Sequence, residues 1–356
     1  MVPETLELQR DKEQDEGRLL WLTDTYGDHN GVSTVLKGVL KEIKLRNLPI
    51  DLLICSSTIS PDDHLIVVPP VKEFTIPLYR QQPFRIPNYL SVQRIFRRGR
   101  YNRIICSTEG PMGVAALWLK KRFSVKTFFY LHTDWLSFAR EVLSLEETGL
   151  RRIQRMLKVY YKRFDGIFVL NSEQQQWLIG NTIGIDPSRV FLTAHWVDRL
   201  VEVDRLKPVV GVDWLKPVVM YAGRISKEKG VLELAAIMEM IWSVIPEVQL
   251  VVAGTGPAEE ELKRKLPEAC FTGWIEPEFL QRLYLASDIL LLPSRFDTFS
   301  CVVLEALSCG LPVAAYNTKG PRDILEDLVS GYLVETAEQM AGRVSVSFLI
   351  PTNRLK

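Results

Sequence analysis

Histidine and cysteine are scarce in this chain, and neither is arranged for metal or redox chemistry. Four histidines and five cysteines are spread over 356 residues. His29, His64 and His195 show no metal-ligand spacing with one another or with the cysteines. Cys55, Cys106, Cys270, Cys301 and Cys309 include no C-x-x-C pair, and several lie in apolar, strand-like runs. Buried thiols in a reducing compartment are therefore expected. No apolar run approaches the length of a membrane span. The opening MVPETLELQRDKEQDEG is polar and acidic and has no apolar h-region of a signal peptide. Also absent are a P-loop, a G-x-S-x-G elbow and a zincin signature. No G-x-G-x-x-G follows the first strand-like run, which weighs against a nicotinamide dehydrogenase made of two Rossmann-like halves. The expected location is cytoplasmic.

What is present is ordinary in amount and informative in order. Hydrophobic residues make up 47% of the chain and charged residues 24%, as in a globular protein long enough for two cores. From Arg18 onward, short apolar runs alternate with helical patterns. Residues 18–24, 51–57, 64–70, 102–108, 125–132, 166–172 and 189–196 read as buried parallel strands. Helices are expected over 32–45, 112–121, 150–163 and 173–179. A Pro-punctuated stretch interrupts the alternation, which then restarts. The second block reads as strands 218–224, 248–254, 270–272, 288–294 and 312–317. Its helices are expected at 229–242, near 259–265, from Pro277, after Phe299 and, as the last element, from Pro321. The predicted fold is α/β, with two doubly wound Rossmann-like domains facing a cleft. Expected boundaries are a disordered lead-in at 1–17, a first domain at 18–197, a linker at 198–216, a second domain at 217–340 and a tail at 341–356.

The net charge of +1 hides an asymmetry. Residues 80–163 hold 18 Lys+Arg against 5 Asp+Glu, a balance of +13, so the remainder carries −12. A basic block interleaved with aromatics can face an anionic membrane surface or an acidic substrate; its bland alternative is a solvated helical face. No nucleic-acid-binding motif accompanies it, so nucleic acid is not expected as a partner.

The most informative stretch is PSRFDTFSCVVLEALSCG, Pro293 to Gly310. It sets Asp297 just before a helix and Glu305 more than two turns inside it, with the N–H groups of Phe299, Ser300 and Cys301 between them. Free N–H groups and the positive dipole end favour an anion, and flanking carboxylates can accept from hydroxyls attached to that anion. A ligand with phosphates in the middle and sugar hydroxyls at both ends, a nucleotide-sugar, fits that description. A glycosidase also uses two carboxylates, but these border a phosphate-seeking helix start rather than a glycosidic bond. The turn YAGRISKEKG, Tyr221 to Gly230, supplies a fork in Arg224 and a point charge in Lys229 for phosphate oxygens. An exposed basic turn is the alternative there. Gly254-Thr255-Gly256-Pro257 reads as a structural turn.

Gly31 opens a helix after the first strand and lets backbone approach a ligand. His132, followed by Thr133 and Asp134, closes the strand 125–132, where α/β sites form; a satisfied core histidine is the competing reading. Glu109 also follows a strand. It can face an acceptor or cap its turn.

Together the blocks TDTYGDHNGVST, STEGPMGVAA, YLHTDW, YAGRISKEKG, LVVAGTGP and DILLLPSRFDTFSCVVLEALSCGLPVAAYN with GPRDIL resemble the family 4 glycosyltransferases of the GT-B fold. The resemblance spans about residues 18–335. Its N-terminal blocks look most like the lipid-glycosylating branch, such as phosphatidylinositol mannosyltransferases and sulfoquinovosyl-diacylglycerol synthases. It implies a retaining, metal-independent transfer from a UDP- or GDP-linked sugar to a hydroxyl of a lipid or glycan acceptor, with no cofactor. Peripheral contact with the cytoplasmic face of a membrane goes with that role. Carried over, Arg224 and Lys229 bind the donor diphosphate, Glu305 holds the ribose hydroxyls, and Phe299, Ser300 and Cys301 offer N–H groups. Gly31 approaches the donor, while His132 and Asp297 meet the transferred sugar as the catalytic pair. Glu109 and Asp134 are the acceptor-side candidates. Asp297 stands where the family usually has Glu, and Ser300 where it commonly has Gly. The sequence stops soon after GYLVE, so the crossing helices usual in the family are expected to be missing. That leaves a non-catalytic or truncated nucleotide-sugar-binding protein as the alternative.

Overall fold

A computed structural model describes residues 17–27, 31–76, 79–141, 145–195, 211–295 and 297–349. The expected lead-in and linker, His29 and the end of the tail lie wholly or mostly outside those residues. The chain divides into two compact units, Met1–Ala194 and His195–Lys356.

Unit 1 is built on β1 (Arg18–Thr23), β2 (Ile50–Cys55), β3 (Leu65–Val68), β6 (Tyr101–Cys106), β7 (Lys126–Tyr130), β8 (Gly166–Val169) and β9 (Val190–Leu192). They form one parallel sheet in the order β3-β2-β1-β6-β7-β8-β9. Near-continuous apolar runs such as LLWL and DLLIC form these strands because helices cover both faces, leaving no polar side to alternate with. The helices are α1 (Gly31–Arg46), α2 (Tyr89–Arg98), α3 (Pro111–Phe123), α4 (Trp135–Glu141), α5 (Glu147–Tyr161) and α6 (Ser172–Ile179). Leu20, Leu22, Ile104, Phe129, Tyr161 and Phe164 form the centre of its core.

Five elements here differ from the sequence expectation. The strand expected over 64–70 ends at Val68, and the chain continues into an antiparallel hairpin, β4 (Pro70–Ile76) with β5 (Tyr79–Pro87). Prolines at 70, 83 and 87 hide it, because proline reads as a strand breaker although edge strands tolerate it. Helix α2 follows directly. Its start is fixed by Asn88, whose side chain accepts from the N–H groups of Leu90 and Ser91 at 3.1 and 3.2 Å. Helix α4 was likewise not expected.

Unit 2 contains β10 (Val218–Ala222), β11 (Gln249–Ala253), β12 (Cys270–Gly273), β13 (Ile289–Leu292), β14 (Val313–Tyr316) and β15 (Gly331–Val334), paired in parallel in the order β12-β11-β10-β13-β14-β15. Alternate residues of β10 feed two cores. Val219 and Tyr221 join one, and Val218, Met220 and Ala222 join the other. The helices are α7 (Glu233–Val244), α8 (Glu259–Lys265), α9 (Pro277–Ala286), α10 (Cys301–Ser308), α11 (Pro321–Ile324) and α12 (Ala337–Leu349).

The helix expected from Lys229 begins only at Glu233. Lys227–Lys229 form a 3-10 turn, and Gly230, at φ +67°, breaks the path between them. Helix α11 is four residues long and does not end the unit; β15 and α12 follow it. The domain boundary expected at 340 is corrected accordingly, since it would cut α12. Met340, Ala341 and Val344 of that helix share a core with Ile237, Met238 and Ile241 of α7.

In both units the strand order reverses beside a central strand. β1 has β2 on one side and β6 on the other; β10 has β11 and β13. Ligands of doubly wound folds bind at the carboxyl ends of strands at such reversals. Any site in unit 2 is therefore expected where the chain leaves β10 and β13.

Candidate functional site

Those two exits carry all seven of the residues expected there. Arg224 and Lys229 follow β10; Asp297, Phe299, Ser300, Cys301 and Glu305 follow β13. Two glycines let the first loop lie close to its neighbours. A Cβ on Gly254, at φ +134°, would stand 1.9 Å from the Gly223 carbonyl oxygen, and one on Gly230 would stand 2.0 Å from that of Pro293. Ile225 N–H donates to the Thr255 carbonyl at 2.9 Å, so residues 254–257 act as the structural turn expected of them.

Charge is concentrated at this crevice. Lys229 Nζ lies 3.1 Å from Asp297 Oδ2, and the other oxygen of Asp297 accepts from the Ser300 N–H at 3.2 Å. The Ser300 N–H, expected to serve a ligand, here donates to Asp297. The N–H groups of Cys301 and Val302 stand where helix geometry supplies no acceptor four residues back. Arg224 pairs with Glu228 at 3.7 Å, half-exposed at the mouth of the loop. Ser300 is buried in the left-handed region at φ +59°, and its Oγ has no hydrogen-bond partner among the described residues. Phe299 is buried and meets the His195 ring edge-on at 4.9 Å.

The helix begins at Cys301, later than the sequence suggested. Glu305 therefore sits little more than one turn inside it, not two. It accepts from the Tyr284 hydroxyl of α9 at 2.9 Å. Burial raises its pKa, and the Tyr284 bond opposes that rise. The Cys301 thiol is pushed up to about 12, chiefly by burial and then by the Glu305 and Asp297 carboxylates, so it stays neutral. The arrangement thus offers two cations, a helix start and a positioned carboxylate, with no activated nucleophile.

In unit 1 the expected residues also line the strand carboxyl ends. Gly31 is exposed as the first residue of α1, with open space where a Cβ would be. His132 is buried after β7, its ring 4.3 Å from that of Tyr130. Asp134 accepts from both the N–H and the hydroxyl of Ser137, at 3.0 and 2.8 Å, and so caps α4. Glu109 accepts from the Tyr161 hydroxyl at 2.7 Å, and burial pushes its pKa up to about 7.

Three further groups escaped the sequence reading. Asp24, after β1, accepts from the Thr108 hydroxyl at 2.6 Å and from the Met112 N–H at 3.2 Å, tying β1 to the start of α3. In unit 2, Arg295 lies 3.7 Å from the ring centroid of Tyr316, and both touch Glu233. Trp274, 61% exposed, follows the last residue of β12. An acidic residue closing a strand was the available signal for Asp24; the others depend on contacts distant in sequence.

Residues 29–199 match the family model described as glycosyltransferase family 4, and residues 203–346 match the one described as glycosyl transferases group 1. The chain belongs to the family 4 glycosyltransferases. Among its relatives is a GDP-mannose-dependent alpha-mannosyltransferase of Corynebacterium glutamicum, 26% identical over 77% of this chain and 64% of that protein. The chain therefore spans somewhat under two thirds of that relative's length. Another relative is the alpha-monoglucosyldiacylglycerol synthase of Streptococcus pneumoniae, 20% identical over 92% of this chain and 77% of that one. Among solved structures, the sucrose-phosphate synthase of Thermosynechococcus elongatus superposes with a TM-score of 0.76 at 18% identity, covering 95% of this chain and 91% of that one. Two Rossmann-like domains of this kind are the GT-B architecture.

Proposed function

We propose that the protein is a retaining, metal-independent transferase that moves a sugar from a UDP- or GDP-linked donor to a hydroxyl of a lipid or glycan. The observation that carries this reading is the convergence of Lys229, Asp297 and the start of α10 at one crevice of unit 2, with Arg224 on the adjoining loop. In the proposed step the bond from the anomeric carbon to the leaving phosphate oxygen breaks. A bond to the acceptor oxygen forms on the same face, and the acceptor proton passes to the leaving diphosphate. Arg224 and Lys229 stabilise the charge that develops on that group, Glu305 holds the ribose, and Asp297 and His132 hydrogen-bond the sugar. The exposed indole of Trp274 offers the base an aromatic face. The corynebacterial relative's dependence on GDP-mannose supports the donor class, and the pneumococcal synthase supports a lipid acceptor.

A membrane surface is part of the same reading. One face of α5 carries Arg152 and Arg155 with Met156 and Val159, 63% and 57% exposed. Among the described residues no helix is long and apolar enough to cross a membrane.

Release of nucleoside diphosphate from UDP-, GDP- and ADP-sugars tests the reaction. Arg224→Ala and Glu305→Ala should each lower turnover about 10²–10³-fold while the protein stays folded. Undiminished turnover in both would refute the site. The closed Lys229–Asp297 pair favours a second reading, a non-catalytic binder. Calorimetric donor binding with no diphosphate release across an acceptor panel would select it.

A further inference from the structure

At the opposite, N-terminal edge of the unit 1 sheet lies an open cavity of about 670 Å³. It is lined by Lys120, Lys121 and Ser124 at the end of α3, Lys126 at the start of β7, and Arg163 and Asp165 between α5 and β8. Four cations face one carboxylate, a balance of +3. Two helix C-termini point here, and basic residues often serve only to neutralise them. Their partial charges, about −0.5 each, leave the cavity at about +2. The acid is already used internally. Asp165 accepts from the Thr127 N–H at 2.7 Å and from Lys120 at 2.9 Å, while Lys120 also donates to the Arg163 carbonyl at 2.6 Å. Among the described residues no carboxylate lies within ion-pair distance of Lys121, Lys126 or Arg163. Lys120 and Asp165 thus hold the walls together, and Lys121, Lys126 and Arg163 line the same cavity, Lys126 near enough to act on the Asp165 carboxylate without pairing with it.

We propose that this cavity is a second anion site, separate from the strand carboxyl ends, that takes a phosphate-bearing ligand through Lys121, Lys126 and Arg163, with the Ser124 hydroxyl beside them. An ammonium pair and a guanidinium fork match the several oxygens of a phosphate group. The ligand is either a soluble phosphorylated compound or a lipid phosphate headgroup, which share that chemistry.

The test starts from Arg224→Ala/Lys229→Ala, so that the crevice of unit 2 cannot report. Inorganic pyrophosphate is titrated into this protein by calorimetry, alongside monomeric dihexanoyl-phosphatidic acid. Binding of either probe should persist, and adding Lys126→Glu/Arg163→Glu should weaken it at least about tenfold. Lys121→Gln/Lys126→Gln, both exposed positions, should weaken it in the same direction without reversing charge. Tighter binding of the phosphatidic acid assigns the lipid source, and pyrophosphate binding alone assigns the soluble one. Absence of binding in the Arg224→Ala/Lys229→Ala protein, or affinity unchanged within about twofold by both sets of substitutions, overturns the proposal. Neither result depends on whether a sugar is transferred.

Discussion

Ser300 shows how much of this site is decided by single residues. A side chain at φ +59° is strained, and its buried hydroxyl has no partner to offset the cost. The family resemblance puts glycine at this position, and the left-handed backbone is the physical reason. Ser300→Gly should raise unfolding free energy by about 1 kcal/mol in urea titrations. Two buried titratable groups bend stability in opposite directions with pH. Glu109 has a native pKa of about 7 against 4.5 for the free side chain. The native state keeps a proton that the unfolded chain has lost, so stability falls as pH rises from 4.5 to 7. Glu109→Gln should be more stable than the parent at pH 8, by on the order of 2 kcal/mol, and no better at pH 4. His195 is the reverse case, lowered by burial from 6.5 to about 4. Its contribution is complete above 6.5 and is lost as pH falls towards 4. His195→Phe should flatten that acid limb in the same titrations.

Among elements, the best-read were those whose apolar runs are continuous or whose charges mark both ends. Helix α8 matches its expected span because three glutamates open it and Lys263, Arg264 and Lys265 close it. The β4–β5 hairpin and α2 were hidden by proline punctuation. β15 and α12 were missed because the apolar face of α12 makes sense only against α7. The loop after β10 was legible as a phosphate-seeking turn. Its support by Gly254 was not, because the contact with Gly223 joins two strand exits. Gly254→Ala should cost at least about 2 kcal/mol, through both the disfavoured φ and the 1.9 Å approach. Because that turn carries Arg224 and Lys229, nucleotide affinity should fall with it. A variant that unfolds at the parent's urea midpoint would show that the turn can move aside.

For the whole chain, composition foretold two cores and an uneven field; the chain has one core in unit 1 and two in unit 2, one on each face of its sheet, and the uneven field is present. Much of the +13 between residues 80 and 163 is displayed on α2, the end of α3 and α5, where the basic side chains are mostly exposed. Vesicle co-sedimentation should accordingly favour anionic over neutral lipid and weaken steeply with salt. Arg152→Glu/Arg155→Glu should remove the preference. Equal partitioning onto neutral vesicles would leave the exposed face of α5 as a solvated surface. The candidate site in unit 2 was readable because its residues fall within two short segments. Asp24, Tyr284 and Glu233 were not, because their partners lie 84, 21 and 83 positions away.

The bond between Lys229 and Asp297 has a consequence for recognition. In the resting protein the ammonium that a diphosphate would seek is occupied by an acid tethered to the same fold. On the proposed reading an incoming diphosphate competes with that acid for the three N–H donors of the ammonium, and a bare nucleoside diphosphate weakens the Asp297 contact without replacing it. A donor whose sugar presents hydroxyls would give the carboxylate oxygen that faces Lys229 a new companion, so the intact donor should outbind its own leaving group.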